Sequence, residues 1–331
     1  MPKRKGQFIL SLDFELFWGV RDKRSIENYG ENIRGVRQVI PRLLELFDTY
    51  GVQATFATVG FLFCRNREEL INSLPSVLPA YDNPNYSPYH QNYHTKIGIS
   101  ENEDIYHFGY SLLKAIQQTS RHEIGTHTFS HFYCLEGASF QSFEADLMAA
   151  KRIAALNDIE LKSIVFPRNQ YSAEHIAICK RLGILTYRGN EAASIYQPMK
   201  NKEISKTIRL TKLLDTYINI TGYNTHNLFL QADEGTFNVP ASAFLRPYNK
   251  RLAPLIPLQV IRIKKSMLHA AQTGEAFHLW WHPHNFGVYL KENIKVLEGI
   301  LQYYRHLQQE YGIASYTMAA IAKEIKQQYA K

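Results

Sequence analysis

Four groups of polar residues in this 331-residue chain have types and spacing suited to chemistry. Asp13 and Glu15 stand two apart at the end of an apolar run holding Phe8, Ile9, Leu10 and Leu12. In an extended strand, residues i and i+2 share a face. Two carboxylates placed together repel and tend to hold a proton or a metal. His127 and His131 stand four apart in HTFSH, a spacing that turns both rings one way on a helical turn. Two neutral imidazoles suit zinc, cobalt, nickel or iron(II). A carboxylate from another strand end, Asp13 or Glu15, would complete a three-ligand set with open positions, the pattern of a catalytic rather than a closed structural centre. Arg168 follows a short apolar run in FPRNQ, where a guanidinium can pair with a carboxylate and fix its charge. The fourth group, HLWWHPHN, delivers His282 or His284 to the same rim as a candidate general acid, while His278 falls inside the strand pattern and reads as structural. Together these are the parts for metal-assisted hydrolysis of an amide.

Alternating strands and helices must position them. Residues 7–13, 52–59, 122–125, 163–166, 184–187 and 276–281 read as strands, with a last short strand following Ile313. Residues 31–50, 68–74, 105–119, 139–157, 172–182, 257–273 and 290–311 read as helices, and a final helix closes the chain. This order predicts a parallel sheet with helical cover. About seven β/α units, with no glycine-rich phosphate loop after the first strand, favour a distorted barrel over an open doubly wound sheet. The polar groups then fall at C-terminal strand ends, where such barrels carry their active sites. Two long insertions interrupt the rhythm. Residues 75–104, rich in Pro, Asn, Tyr and His, are expected to be either disordered or a functional loop; residues 190–250 read as irregular and polar. No linker marks a boundary, so residues 1–331 are expected to form one domain.

These residues resemble the polysaccharide deacetylases of carbohydrate esterase family four, the NodB-homology fold. The resemblance rests on SLDFE (11–15), HTFSH (127–131), FPRNQ (166–170) and LWWHPHN (279–285), in the family's order over nearly the whole chain. It implies a distorted (β/α)7 barrel. It implies Asp13 as general base and Glu15, His127 and His131 as ligands of one divalent ion, zinc first among zinc, cobalt, nickel and iron. It also implies Arg168 as the residue that holds Asp13, and His282 as general acid. Asn169, Trp281 and His284 are expected to touch substrate. Phe14 stands between the two acids, the arginine motif reads P-R-N-Q, and the late motif reads W-H-P-H-N. These departures resemble a variant branch that includes deacetylases of lipid-linked or surface-glycan sugars and cyclic-amide hydrolases.

The leading expectation is therefore removal of an N-acyl group, acetyl first, from an amino sugar of a surface glycan or of its soluble or lipid-linked precursor. Hydrolysis of a non-sugar linear or cyclic amide is the second reading, and a metal-free glycan-binding relative the third. Composition narrows the rest. The net charge of +8 comes without a nucleic-acid motif, and the only tight basic run is Lys3-Arg4-Lys5, so nucleic acid is not expected as a partner. Cys64, Cys134 and Cys179 are isolated and odd in number, which predicts no disulfide framework, and Cys134 reads as a buried free thiol. The first residues are expected to form neither a signal peptide nor a membrane span. The expected location is cytoplasmic, or peripheral at the inner membrane face.

Overall fold

The computed structural model describes residues 4–231 and 236–329. Its sheet contains β1 (Gln7–Phe14), β2 (Thr55–Thr58), β3 (Glu123–Thr126), β4 (Ser163–Ile164), β5 (Thr186–Tyr187), β6 (Phe237–Asn238), β7 (Ala243–Phe244), β8 (Ala276–Trp281) and β9 (Ala314–Tyr316). Every strand pairing is parallel, in the order β6-β5-β4-β3-β2-β1-β8-β7. β6 and β7 are two ends of one extended segment. The amides of Val239 and Ala241 bond to Tyr187 and Gly189 on the β5 side, and those of Ser242 and Leu245 bond to His278 and Trp280 on β8. That segment closes the ring, which counted this way has seven staves. β9 lies beside Gln7–Ile9 of β1, below the point where β2 takes over the same edge at Ser11–Phe14. The distorted (β/α)7 barrel expected from the sequence is the observed fold.

The alternation of β1 divides the core. Phe8, Leu10, Leu12 and Phe14 pack outward against α1 (Ile26–Tyr50), α7 (Ile256–Thr273) and α8 (Leu290–Tyr311). Ile9 faces the barrel interior, in a second cluster with Ala57, Val165, Val239 and the Met318, Ile321, Ala322 and Ile325 of α9 (Met318–Tyr329), which plugs the lower end. Moving up this inner face, Ser11 and then Asp13 replace the apolar side chains. The interior is thus apolar at its base and polar toward the C-terminal strand ends, where a β/α barrel places chemistry.

The remaining helices are α2 (Arg67–Asn72), α3 (Tyr110–Gln117), α4 (Phe140–Ala155), α5 (Ala173–Arg181) and α6 (Lys206–Tyr217). The 75–104 insertion is ordered: it forms two 3-10 turns and buries Tyr81, Tyr89, His94 and Ile97. The 190–250 insertion corrects the sequence reading, because it is not wholly irregular. It contains α6 and the barrel-closing segment. Two-residue strands show no period, and α6 lacks an apolar buried stripe, its one fully buried residue being Asp215. All three cysteines are buried and free.

Candidate metal centre and active site

β1 carries Asp13, and Glu15 follows at its end; both are about 3% exposed. The carboxylate of Glu15 fills the space beside Gly19, where an added Cβ would stand 1.9 Å from the Glu15 Cδ, so only glycine fits there. Facing Glu15 are His127 and His131. The Nε2 atoms lie 3.3 Å and 3.0 Å from the same Glu15 oxygen, and the three side chains are buried. The histidines are not on a helical turn, as their spacing had predicted. They belong to a loop after β3 in which Thr128 and His131 take left-handed backbone angles, φ 64° and 58°. Asp146 of α4 holds that loop from beneath. Its carboxylate accepts the Phe129 amide at 2.6 Å, and also the Ser130 amide and hydroxyl.

The donor set fits a divalent ion. Three ligand atoms, one from each of Glu15, His127 and His131, lie within 4.8 Å of one another. His127 Nδ1 donates to the Val165 carbonyl at 2.8 Å, which fixes the tautomer and leaves the Nε2 lone pair toward the cleft. Burial alone would raise the Glu15 pKa. The charges of His282 and His131, with hydrogen bonds from both loop histidines, outweigh it and hold the carboxyl well below its ordinary value. Burial, aided by His127 and Arg168 and opposed by Glu15, pushes His131 down to about 4. Both groups therefore stand in the protonation state a metal requires.

Asp13 is held differently. Arg188, at the end of β5 and 1% exposed, grips it through two parallel bonds of 2.7 and 2.9 Å. Arg188 also reaches Ser11 Oγ and Asn169 Oδ1, each at 3.0 Å, and its guanidinium lies 4.1 Å over the Trp280 ring. His278 Nε2 meets Ser11 Oγ at 2.8 Å, and Nδ1 meets the Val239 carbonyl, so this histidine is structural as expected. Burial pushes Asp13 up, but Arg188, then His127 and His282, pull it below its usual value. It is an anion at neutral pH.

Arg168 does not make the contact predicted for it. Its guanidinium pairs with Asp22 and stacks 3.8 Å over Tyr133, although it still lines the cleft beside Asn169. Arg188 takes its expected place on Asp13. Trp281 also falls elsewhere: it is fully buried, stacked on Phe286 in the outer core. Period-two alternation along β8 sends Trp280, not Trp281, to the inner face with His278 and His282. His282 Nε2 stands 3.6 Å from Asp13 and 3.9 Å from Glu15, with about a quarter of its side chain exposed to the cleft. His284 is buried behind it, rings 5.0 Å apart, with Nδ1 3.7 Å from Glu15. Burial pushes His284 down to about 3.

Sequence reasoning missed Arg188, Asp146, Trp280 and Ser11. Arg188 carries the same signal as Arg168, an arginine directly after a short strand. Asp146 interrupts the apolar stripe Phe143-Leu147-Ala150 of α4, and an acid on a buried stripe needs a partner.

The groups line an open cleft rimmed by Lys23, Arg24, Arg168 and Arg246. A recess beside it shares Arg168, Asn169, Phe244, Arg246, Trp280 and His282.

The polysaccharide deacetylase family profile matches residues 30–187. That span holds His127, His131, Asp146 and Arg168, while Asp13, Glu15, Arg188 and His282 lie outside it. No curated protein matches the chain by sequence. The fold is similar to that of a protein described as a polysaccharide deacetylase from Mycobacterium smegmatis, with TM-score 0.59, 13% identity, and coverage of 99% of this chain and 93% of that one. It is similar to an allantoinase, Puue, with TM-score 0.57, 10% identity, and 100% and 93% coverage. A described polysaccharide deacetylase of Pseudomonas aeruginosa PAO1 gives TM-score 0.52, 10% identity, and 98% and 90% coverage.

Proposed function

Because the chain belongs to the polysaccharide deacetylase family, we propose that it is a metal-dependent hydrolase that removes an N-acetyl group from an amino sugar of a surface glycan or of its precursor. The observation that carries this reading is the pairing, at one barrel mouth, of a Glu15–His127–His131 ligand set with an Arg188-held aspartate and a half-open histidine.

Glu15, His127 and His131 would hold one divalent ion, zinc by preference for two imidazoles and a carboxylate. When bound, such an ion polarises the amide carbonyl and makes a neighbouring water acidic. Asp13, anionic and fixed by Arg188, takes the proton from water as the new C–O bond forms. His282 is the cleft-facing histidine and gives a proton to the amine nitrogen as the C–N bond breaks. His284, buried against Glu15 and Tyr29, orients its neighbour. Asn169 serves twice, bonding Arg188 and lining the cleft, and Trp280 offers an aromatic face to the sugar. Arg168 lies on the rim with Lys23, Arg24 and Arg246, so the cleft suits a substrate bearing phosphate or carboxylate, such as a sugar nucleotide or lipid-linked sugar. Residues 1–331 act as one catalytic domain.

The test is acetate release, followed by mass spectrometry, from acetylated sugar nucleotides, lipid-linked sugars and glycan oligomers. The metal-loaded protein should deacetylate one class and fall silent with chelator. A protein that binds no transition metal after supplementation, or releases no acetate from any class, refutes the reading. His282→Ala should lower turnover far more than KM, and His284→Ala should lower turnover less, by loosening its neighbour; a larger loss of turnover in the His284 variant would reassign the acid to His284.

A further inference from the structure

Helix α6 inverts the burial usual for an amphipathic helix. Its one fully buried side chain is Asp215, bonded to Arg262 of α7 and to Tyr196, each at 2.8 Å. Leu210 and Leu214, one turn apart, are 55% and 42% exposed. The chain leaving α6 continues the pattern with Ile218 at 58% and Ile220 at 52%. Tyr223 then comes to rest on His269 of α7, ring centroids 4.7 Å apart. On α7, the exposed Leu258 and Ile261 begin a stripe that runs through Lys265 toward that contact. Half of the large apolar side chains exposed among the described residues therefore lie on these two helices and their link. A monomer seldom leaves so much apolar surface in one place without a use.

Charge identifies the partner. Residues 204–274 hold nine Lys and Arg against three acids, Asp215, Asp233 and Glu234, a net of +6 out of the chain's +8. The Asp215 charge is already met by Arg262. Lys206, Arg209 and Lys265 are exposed beside the leucines and isoleucines. A positive rim around an apolar face repels a second copy of itself. It matches a surface that offers negative charge above an apolar layer.

We propose that α6, residues 218–223 and the outer stripe of α7 dock on an anionic lipid bilayer. The same helices wall the recess that shares Arg246, Trp280 and His282 with the cleft, through Lys212, Thr216, Gln259 and Arg262. Docking therefore sets the active site close to lipid-borne substrate. The binding itself does not depend on the deacetylase reading, because sedimentation alone scores it.

The full chain is mixed with vesicles of phosphatidylcholine alone, or with about a third phosphatidylglycerol, at low and high salt. It should sediment with the anionic vesicles only and be released by salt. Leu210→Gln with Leu214→Gln and Ile218→Gln should lower the partition coefficient at least about tenfold. Arg209→Glu with Lys265→Glu should do the same. Circular dichroism and Tm should not change, since all five side chains are exposed. A protein that stays in the supernatant with both vesicles overturns the proposal. So does binding indifferent to lipid charge. So does a dimer that depends on the leucines and ignores vesicles, which would assign the face to a second copy.

Discussion

The two halves of the active site are supported in different ways. Asp13 is built on strands: β1 places it, β5 delivers Arg188, and β8 delivers His278 to the Ser11 that Arg188 also touches. Its direction is set by the sheet, and its charge by a buried fork of two hydrogen bonds. His127 and His131 are built on a loop with two left-handed residues, held by one carboxylate from a helix beneath. The strand side resists displacement because several staves would have to move. The loop side leans on the Asp146 carboxylate, beside the bonds from the Gly60 and Phe61 amides to the Thr128 and Phe129 carbonyls.

The largest effect should come from His127→Ala. Metal content should fall to background by elemental analysis, with the circular dichroism spectrum kept, because the ligands line the cleft and belong to neither apolar cluster of the core. If the variant unfolds instead, the loop is part of the scaffold and the contrast between the two halves is wrong.

Arg188→Ala should cost about 3–5 kcal/mol in urea unfolding, since it strands a buried carboxylate. It should also shift the acid limb of the kcat/KM profile. Burial pushes Asp13 up and Arg188 holds it down, so the limb should move to higher pH when Arg188 is removed. Arg168→Ala should leave that limb in place, because Arg168 pairs with Asp22. A shifted limb in the Arg168 variant would restore the pairing expected from the sequence.

The tryptophans test strand alternation. Trp281→Ala should cost about 3–5 kcal/mol of stability with KM little changed, as for other buried large-to-small substitutions. Trp280→Ala should raise KM at a smaller cost in stability. The reverse result would place β8 one residue out of register.

The smallest effect belongs to Asp146→Asn, which keeps an oxygen for the Phe129 amide. Metal affinity should weaken by about tenfold, the lower end for groups that orient ligands. Burial raises Asp146 to about 7, against the pull of Ser130 and the loop amides. The folded chain thus binds a proton that the unfolded chain has lost. Stability contributed by this group is full at low pH and declines as pH rises from about 4 to about 7. Asparagine should flatten that slope in chemical unfolding measured across pH; an unchanged slope would show that Asp146 is ionised throughout.

This contrast also explains what the sequence disclosed. Asp13 and Glu15 were legible because a strand has a period of two and the run before them is apolar. The same rule read to the end of β8 favours Trp280, yet the apolar character of both tryptophans hid which one faces inward. His127 and His131 were legible as a pair, but not as a loop, since nothing local announces left-handed angles at Thr128 and His131. Arg188 and Asp146 act across 175 residues to Asp13 and 17 to Phe129, and a single chain read in order gives no distance. The barrel was visible from its long helices. Its closing segment was not, because two strands of two residues leave no pattern to count.

That closing segment gives the molecule a seam. β1 shares six residues of register with β8, whereas the seam holds its neighbours through two on either side. Amide protons there are guarded by few bonds, so local opening should begin there rather than between β1 and β8. In deuterium exchange, Val239, Ala241, Ser242 and Leu245 should label well before the amides of β1. Arg188 directly follows the stave on one side of that seam, so the grip on Asp13 borders a briefly paired part of the ring.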